Sequence, residues 1–194
     1  MFNNILIGLR VSIFTLILTG IIYPYLVTGL SHLFFPKRAS GSLIFDAQQK
    51  RIGSELIGQN FKNPAYFFSR PSAAGKGYDG MASGGTNDSP TSQKMLTRVK
   101  DQITALKGYN SEKIPIDLVT CSASGLDPHI SPQAARWQAP RISLYRDVSL
   151  ARVLSIIEDH TESPQWIILG DRRVNVLRLN LALDQYFGSL VVSP

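Results

Sequence analysis

The chain has 194 residues, and its 20 Lys and Arg outnumber its 14 Asp and Glu. All the acidic residues lie at or beyond Asp46, and the basic surplus is scattered, with no run longer than the pairs Lys37-Arg38, Lys50-Arg51 and Arg172-Arg173. Such dispersal argues against nucleic acid as a partner, because nucleic-acid binders gather positive charge on one face or helix. The lone Cys121 cannot form an intramolecular disulfide, and no Cys/His cluster has metal-ligand spacing.

Residues 1–10 form a short N-terminal tail ahead of an apolar run from Val11 to Phe35, 25 residues without Asp, Glu, Lys or Arg. At about 1.5 Å per residue, roughly 20 such residues cross the hydrocarbon core of a bilayer. Arg10 closes the run on one side and Lys37 and Arg38 on the other. Gly20, Pro24 and Gly29 would weaken a water-soluble helix, but membrane helices tolerate them. A core helix this long and uncharged is unusual in a chain of this size, and a signal peptide has a shorter apolar region followed by an A-x-A-like site. The run therefore reads as an uncleaved transmembrane helix over residues 11–35, in contact with membrane lipid. Its small residues Thr19, Gly20 and Gly29 are candidates for close packing against other helices. Basic residues near its ends are Arg10 before it and Lys37, Arg38, Lys50 and Arg51 after it, which by simple count puts the large domain in the cytoplasm. Long domains translocate despite their charge, so charge alone leaves the orientation open.

Residues 36–194 have the length of one compact domain. Leu43–Phe45, the stretch from Gly53 to Gly58, and Ala65-Tyr-Phe-Phe68 read as short strands between turns. From Ser69 to Ser89, Gly, Ser and Ala dominate and apolar periodicity disappears. Gly75-Lys76 is followed by Gly77 and preceded by Arg70 where a phosphate loop needs its first glycine, so that motif fails. Ser89-Pro90 predicts a helix start, Leu96, Val99, Ile103 and Leu106 form one apolar stripe, and Gly108 ends it. Ile114–Ser122 reads as a strand. Ser131-Pro132 predicts another helix, which Pro140 should kink or end. Asp147 or Ser149 caps the next helix, Trp166–Leu169 and Val174–Leu179 suggest a strand hairpin about Gly170-Asp171, and Asn180–Phe187 a last helical turn or two. Strands and helices without a regular βαβ alternation predict an α+β domain behind one transmembrane helix.

Cys121, Ser122, Ser124, Asp127 and His129 raise the possibility of a membrane-anchored Ser/Cys hydrolase. Catalytic triads draw their members from separate parts of a fold, however, and neither G-x-S-x-G nor S-x-x-K accompanies this group. A tight turn built from Ser, Gly, Asp and Pro is the simpler reading. Glu158-Asp159 and Glu162 read as a solvated face. No residue is assigned a catalytic role, and no metal site or cofactor motif stands out.

Four segments, GQNFKNPAYFFSRPSA (Gly58–Ala73), SGGTNDSP (Ser83–Pro90), SASGLDPHISPQAA (Ser122–Ala135) and RVNVLRLNLALD (Arg173–Asp184), closely resemble the C chain of bacterial potassium-transporting Kdp ATPases. The single leading span and the total length also fit. The resemblance implies a non-catalytic accessory subunit of a high-affinity potassium importer in the inner membrane, with a cytoplasmic N-terminus and a periplasmic domain. It implies two partners, a channel-like potassium-binding subunit and a P-type ATPase subunit, whose assembly this chain stabilises. It also implies a catalytic chaperone that raises the ATP affinity of the ATPase subunit, so ATP enters through that partner rather than as a cofactor of this chain. The residues matching the family segments, Gln59, Asn60, Phe61, Tyr66, Ser69, Arg70 and Pro71, then Gly84, Asn87 and Ser89, then Asp127, Pro128, His129, Ser131 and Arg136, become candidates for the subunit interface.

Overall fold

A computed structural model describes residues 2–46, 49–166 and 168–189. They fall into two compact units that divide between Ser54 and Glu55. In the first, helices α1 (Phe2–Ile17) and α2 (Tyr23–Phe34) are joined through a π-helical turn, Leu18–Ile22, into a single apolar rod from Phe2 to Phe34. The rod is long and apolar enough to cross a membrane, and none of it is buried within the protein. It begins in the N-terminal tail, well ahead of Val11.

The π turn has a local cause. Pro24 has no N–H, and its ring would press on the carbonyl of Gly20 in a regular α-helix; widening the turn ahead of it relieves both problems. Thr19 and Gly20 lie inside that widened turn, and the Thr19 hydroxyl donates to Thr15 O at 2.7 Å. A short helix α3 (Pro36–Ala39) follows, then a two-stranded antiparallel hairpin of β1 (Leu43–Phe45) and β2 (Arg51–Ser54). Ser54 Oγ donates to Gly41 O at 2.7 Å across its open end. The second strand thus ends at Ser54 and does not extend to Gly58.

The second unit is built on α5 (Pro132–Arg146), which packs against α6 (Leu150–Asp159), with α7 (Val176–Phe187) against α6. An antiparallel sheet in the order β3 (His129–Ile130), β5 (Arg173–Asn175), β4 (Thr161–Glu162) lies beside them. Ile142, Val153, Ile156, Ile157, Leu179 and Leu183 are fully buried, each contributing about 1.5–3 kcal/mol relative to exposure. The architecture is mixed helix and sheet, as the absence of a βαβ alternation predicts.

Helix starts follow their side-chain caps. Ser131 Oγ accepts from Ala134 N at 3.0 Å and Ser149 Oγ from Arg152 N at 3.4 Å. Asp147 caps no helix start; it closes α5 in the left-handed region at φ 52°. Pro140 does not end helix α5, which runs on through it to Arg146. Ala139 and Ile142 are wholly buried and Trp137 and Arg141 nearly so, and that packing outweighs the lost backbone bond at Pro140. Helix α4 (Gln93–Leu106) is capped by Ser92, which accepts from Met95 N at 3.4 Å, and not by Ser89. Ser89 instead closes the preceding turn, its carbonyl accepting from Ser92 N at 2.9 Å.

Of the expected strands, two are absent among the described residues and a third is cut short. Ile114–Ser122 contains a 3₁₀ turn, Ile116–Leu118, because Pro115 cannot donate to a ladder and the Asp117 carboxylate is committed to Ser131 N at 2.7 Å. Val174–Leu179 splits where Asn175 turns to cap α7, accepting from Arg178 N at 3.1 Å. Strand β5 therefore pairs with β3 and β4, while Gln165 and Leu169 bridge each other; Ile167 of the expected partner strand lies outside the described residues. Ala65–Phe68 has no strand neighbour among the described residues either. The buried amide of Asn180 accepts from Phe67 N at 2.8 Å and donates to Phe67 O at 3.0 Å. That of Gln138 accepts from Phe68 N at 2.8 Å and donates to Phe68 O at 3.3 Å. Two helical side chains thus supply the bonds that a neighbouring strand would have made.

Candidate functional site

The glycine- and serine-rich segments that lack periodicity are held by one another. Gly58 N donates to Leu126 O at 2.8 Å, and Gly84 N to Ser124 O at 2.9 Å. A Cβ on Gly58 would lie 2.8 Å from Asp127 O, and one on Gly85 2.7 Å from Ala123 O. Ser72 Oγ donates to Gly125 O and accepts from Tyr78 N at 2.8 Å, and the Tyr78 hydroxyl donates to Arg70 O at 2.6 Å. Three stretches of chain, 58–72, 74–85 and 122–127, thereby form one polar layer with almost no helix or strand of its own.

A cleft of about 520 Å³ opens beside this layer, lined by Arg70, Asp117, Asp127, His129, Ser131 and Arg172 among others. Arg70 Nη1 donates to Asp127 Oδ2 at 3.0 Å, and Nη2 reaches Cys121 O at 3.4 Å. The other Asp127 oxygen accepts from His129 N at 3.0 Å and lies 3.4 Å from His129 Nδ1. Partial burial pushes the Asp127 carboxyl upward, but the His129 side chain and backbone N–H, with the Arg70 guanidinium, outweigh it and hold the group below the usual carboxylate range. Its charge is thus paired in place with the Arg70 guanidinium.

The expected interface residues divide between two places. Arg70, Asp127, His129 and Ser131 line this cleft, while Asn60, Phe61, Ser69 and Pro71 line a second one of about 410 Å³ with Phe68, Tyr78 and Tyr109. Gln59 supports the second, its carbonyl accepting from Ser69 Oγ at 2.7 Å. Gly84 and the buried Pro128 belong to the layer beneath, Pro128 O accepting from Val176 N at 2.9 Å. Four residues are not brought in. Tyr66 bonds to Asp184 at 2.8 Å, Arg136 pairs with Glu158 at 2.7 Å on an exposed face of α5, and Asn87 and Ser89 are exposed ahead of α4. Residues missed in the sequence are Ser72, Tyr78, Gly125, Gln138 and Asn180. The two amides carried a signal: each sits among apolar residues on a buried helix face, where an amide needs a partner.

No hydrogen bond links the His129 ring to Ser122, Ser124 or Cys121 among the described residues, and the ring faces Asp127. Ser124 Oγ accepts from Leu126 N at 3.1 Å and Ser122 Oγ from Asp127 N at 3.5 Å. These hydroxyls shape a turn, and none of them is paired with the ring as a nucleophile is with its base.

A family model described as the c chain of the K+-transporting ATPase, KdpC, matches residues 5–185. The chain belongs to the KdpC family. A potassium-transporting ATPase KdpC subunit of Myxococcus xanthus is 49% identical over 98% of this chain and 92% of its own length. Its counterparts in Polynucleobacter asymbioticus and Koribacter versatilis are 52% identical over 87% of this chain and 90% of theirs, and 47% identical over 94% of each. The KdpC match takes in most of the apolar rod and the whole polar layer.

Tyr78 offers a direct check on that layer. Burial raises its phenol from 10.0 to about 12. A folded pKa above the unfolded one means stability that is complete below pH 10 and lost as pH rises through about 12. Urea midpoints of the full chain should therefore drop between those limits, and Tyr78→Phe should remove this part of the decline. An unchanged decline in the variant would show that the phenol is not held as described.

Proposed function

We propose that this chain is the non-catalytic accessory subunit of an ATP-driven, high-affinity potassium importer. The Phe2–Phe34 rod anchors it in the inner membrane with its N-terminus in the cytoplasm and its larger unit in the periplasm. The polar layer and its two clefts bear on the channel-like potassium-binding subunit and stabilise its assembly with the P-type ATPase subunit. The observation that carries this reading is the family match over residues 5–185, which spans anchor and layer together.

The chemistry of the layer suits such a role. Its carboxylate is already paired, and its backbone groups are fixed by close glycine contacts, so it meets a partner at little entropic cost. The same chain raises the ATP affinity of the ATPase subunit as a chaperone of its cycle. A domain across the membrane from ATP achieves this by binding one conformation of the partners more tightly than another, which shifts their populations.

Affinity purification of the tagged chain in mild detergent should bring both partner subunits with it, and deleting the chain should abolish growth on low potassium. A pump that assembles and transports at full rate without this chain would sink the proposal.

A further inference from the structure

Between β4 and β5 the chain makes a tight excursion whose described tip residues, Gln165, Trp166, Ile168 and Leu169, line neither cleft. Gln165 and Leu169 pair through two backbone hydrogen bonds of 2.9 Å, closing a turn that begins at Trp166. Trp166, Ile168 and Leu169 are 87%, 82% and 58% exposed, and Ile167 continues the apolar run in sequence. Trp166 also occupies the left-handed region at φ 56°, a conformation that bulky residues rarely adopt. An exposed Trp in a strained turn, among aliphatic neighbours, is costly in water and calls for an apolar surrounding.

From these observations we infer that the turn carrying Trp166, Ile168 and Leu169 inserts these side chains into the headgroup region of the bilayer, as a second and shallow membrane contact. Trp is suited to that depth, because its ring is apolar while its indole N–H can bond to headgroups. Charge at the base of the tip agrees. Arg172 and Arg173, on the lining of the first cleft, pair with Glu158 and Glu162, yet their side chains stay 49% and 39% exposed and so open to a headgroup phosphate. The unit that carries the tip, residues 55–194, holds 15 Lys and Arg against 13 Asp and Glu, so its charge does not oppose approach to an anionic bilayer surface. A protein partner is the weaker fit for the tip alone, since a stable interface buries about 1,000 Å² or more. The inference rests on the anchor reading, because a domain tethered at the membrane needs only a small added affinity to dip one turn into it.

The test uses the full chain reconstituted in vesicles of mixed zwitterionic and anionic phospholipid, some brominated near the headgroup end of the acyl chains. Trp137 is 4% exposed and donates to Glu112 O at 3.2 Å, so Trp166 is the responsive fluorophore. Its emission should shift to the blue and be quenched at least twofold by bromine, an effect absent in Trp166→Phe. Ile168→Asp, which keeps the fluorophore, should return its emission to that of exposed Trp. Flotation after an alkaline wash reports on the anchor separately. A chain that fails to float overturns the anchor reading and this inference with it. Flotation with Trp166 still open to iodide overturns this inference alone, as does protection that arises only when the two pump subunits are added.

Discussion

Arg146→Ala is expected to lower the stability of the larger unit by about 3–5 kcal/mol, the range for breaking a buried ion pair from one side. The Arg146 side chain is 1% exposed and serves three parts of the fold. Its Nε donates to Ala65 O at 2.8 Å, Nη2 to Asp184 Oδ1 at 2.8 Å, and Nη1 to Gly188 O at 3.2 Å. The guanidinium also lies 4.6 Å from the centre of the Tyr66 ring. Truncation leaves a mostly buried carboxylate beside the Tyr66 hydroxyl, together with carbonyls that water reaches poorly. Lys in its place keeps the charge but not the fork of donors, so Arg146→Lys should lose roughly half as much. Urea unfolding of the full chain in mild detergent, followed by the buried Trp137, measures both. A loss below about 1 kcal/mol for the alanine variant would mean that solvent replaces these bonds freely.

Gly125→Ala is expected to act on the polar layer rather than on the helical core. Gly125 has φ +67°, and a Cβ there would lie 2.5 Å from Gly84 O and 2.7 Å from Ala74 N. Both are backbone atoms of other loops, so no side-chain rotation relieves the clash. Left-handed strain and overpacking together cost about 2–4 kcal/mol. The cheapest response is for the loops to part, which breaks the bonds from Ser72 Oγ to Gly125 O and from Gly84 N to Ser124 O. Cys121 should then react faster with thiol reagents, and recovery of the partner subunits with the tagged chain should fall about tenfold, the equivalent of about 1.4 kcal/mol. Trp137 emission should not change. Gly80→Ala, with open space around it, is the matched control and should be neutral. Normal partner recovery with fast-reacting Cys121 would mean that the layer is not the docking surface.

Some features were legible because their causes are local. Ser131 and Ser149 cap helices wherever a chain carries them in this context, and the stripe from Leu96 to Leu106 forms a helix by its own spacing. Other stretches misled because apolar content does not say which group will answer the backbone. Ala65–Phe68 has the composition of a strand, yet its partners are amides 70 and 113 residues away. In Val174–Leu179 a single capping Asn175 divides one apolar run between strand and helix. Pro140 by a local rule kinks or ends a helix, and with burial on both sides of it α5 does not end there. The candidate interface divided in the same way. Arg70 and Asp127 met across 57 residues, whereas Arg136, one residue past the segment that holds Asp127, turned to Glu158 on another face.

By itself the sequence determined the apolar rod, the α+β class and the family, because transfer energies, capping and residue identity act over a few positions or are read directly. Only the tertiary structure decided how the glycine-rich segments interlock, which amides replace a strand, and where an exposed tryptophan projects. Those outcomes depend on backbone groups distant in sequence arriving within hydrogen-bonding distance, and no local pattern encodes that meeting.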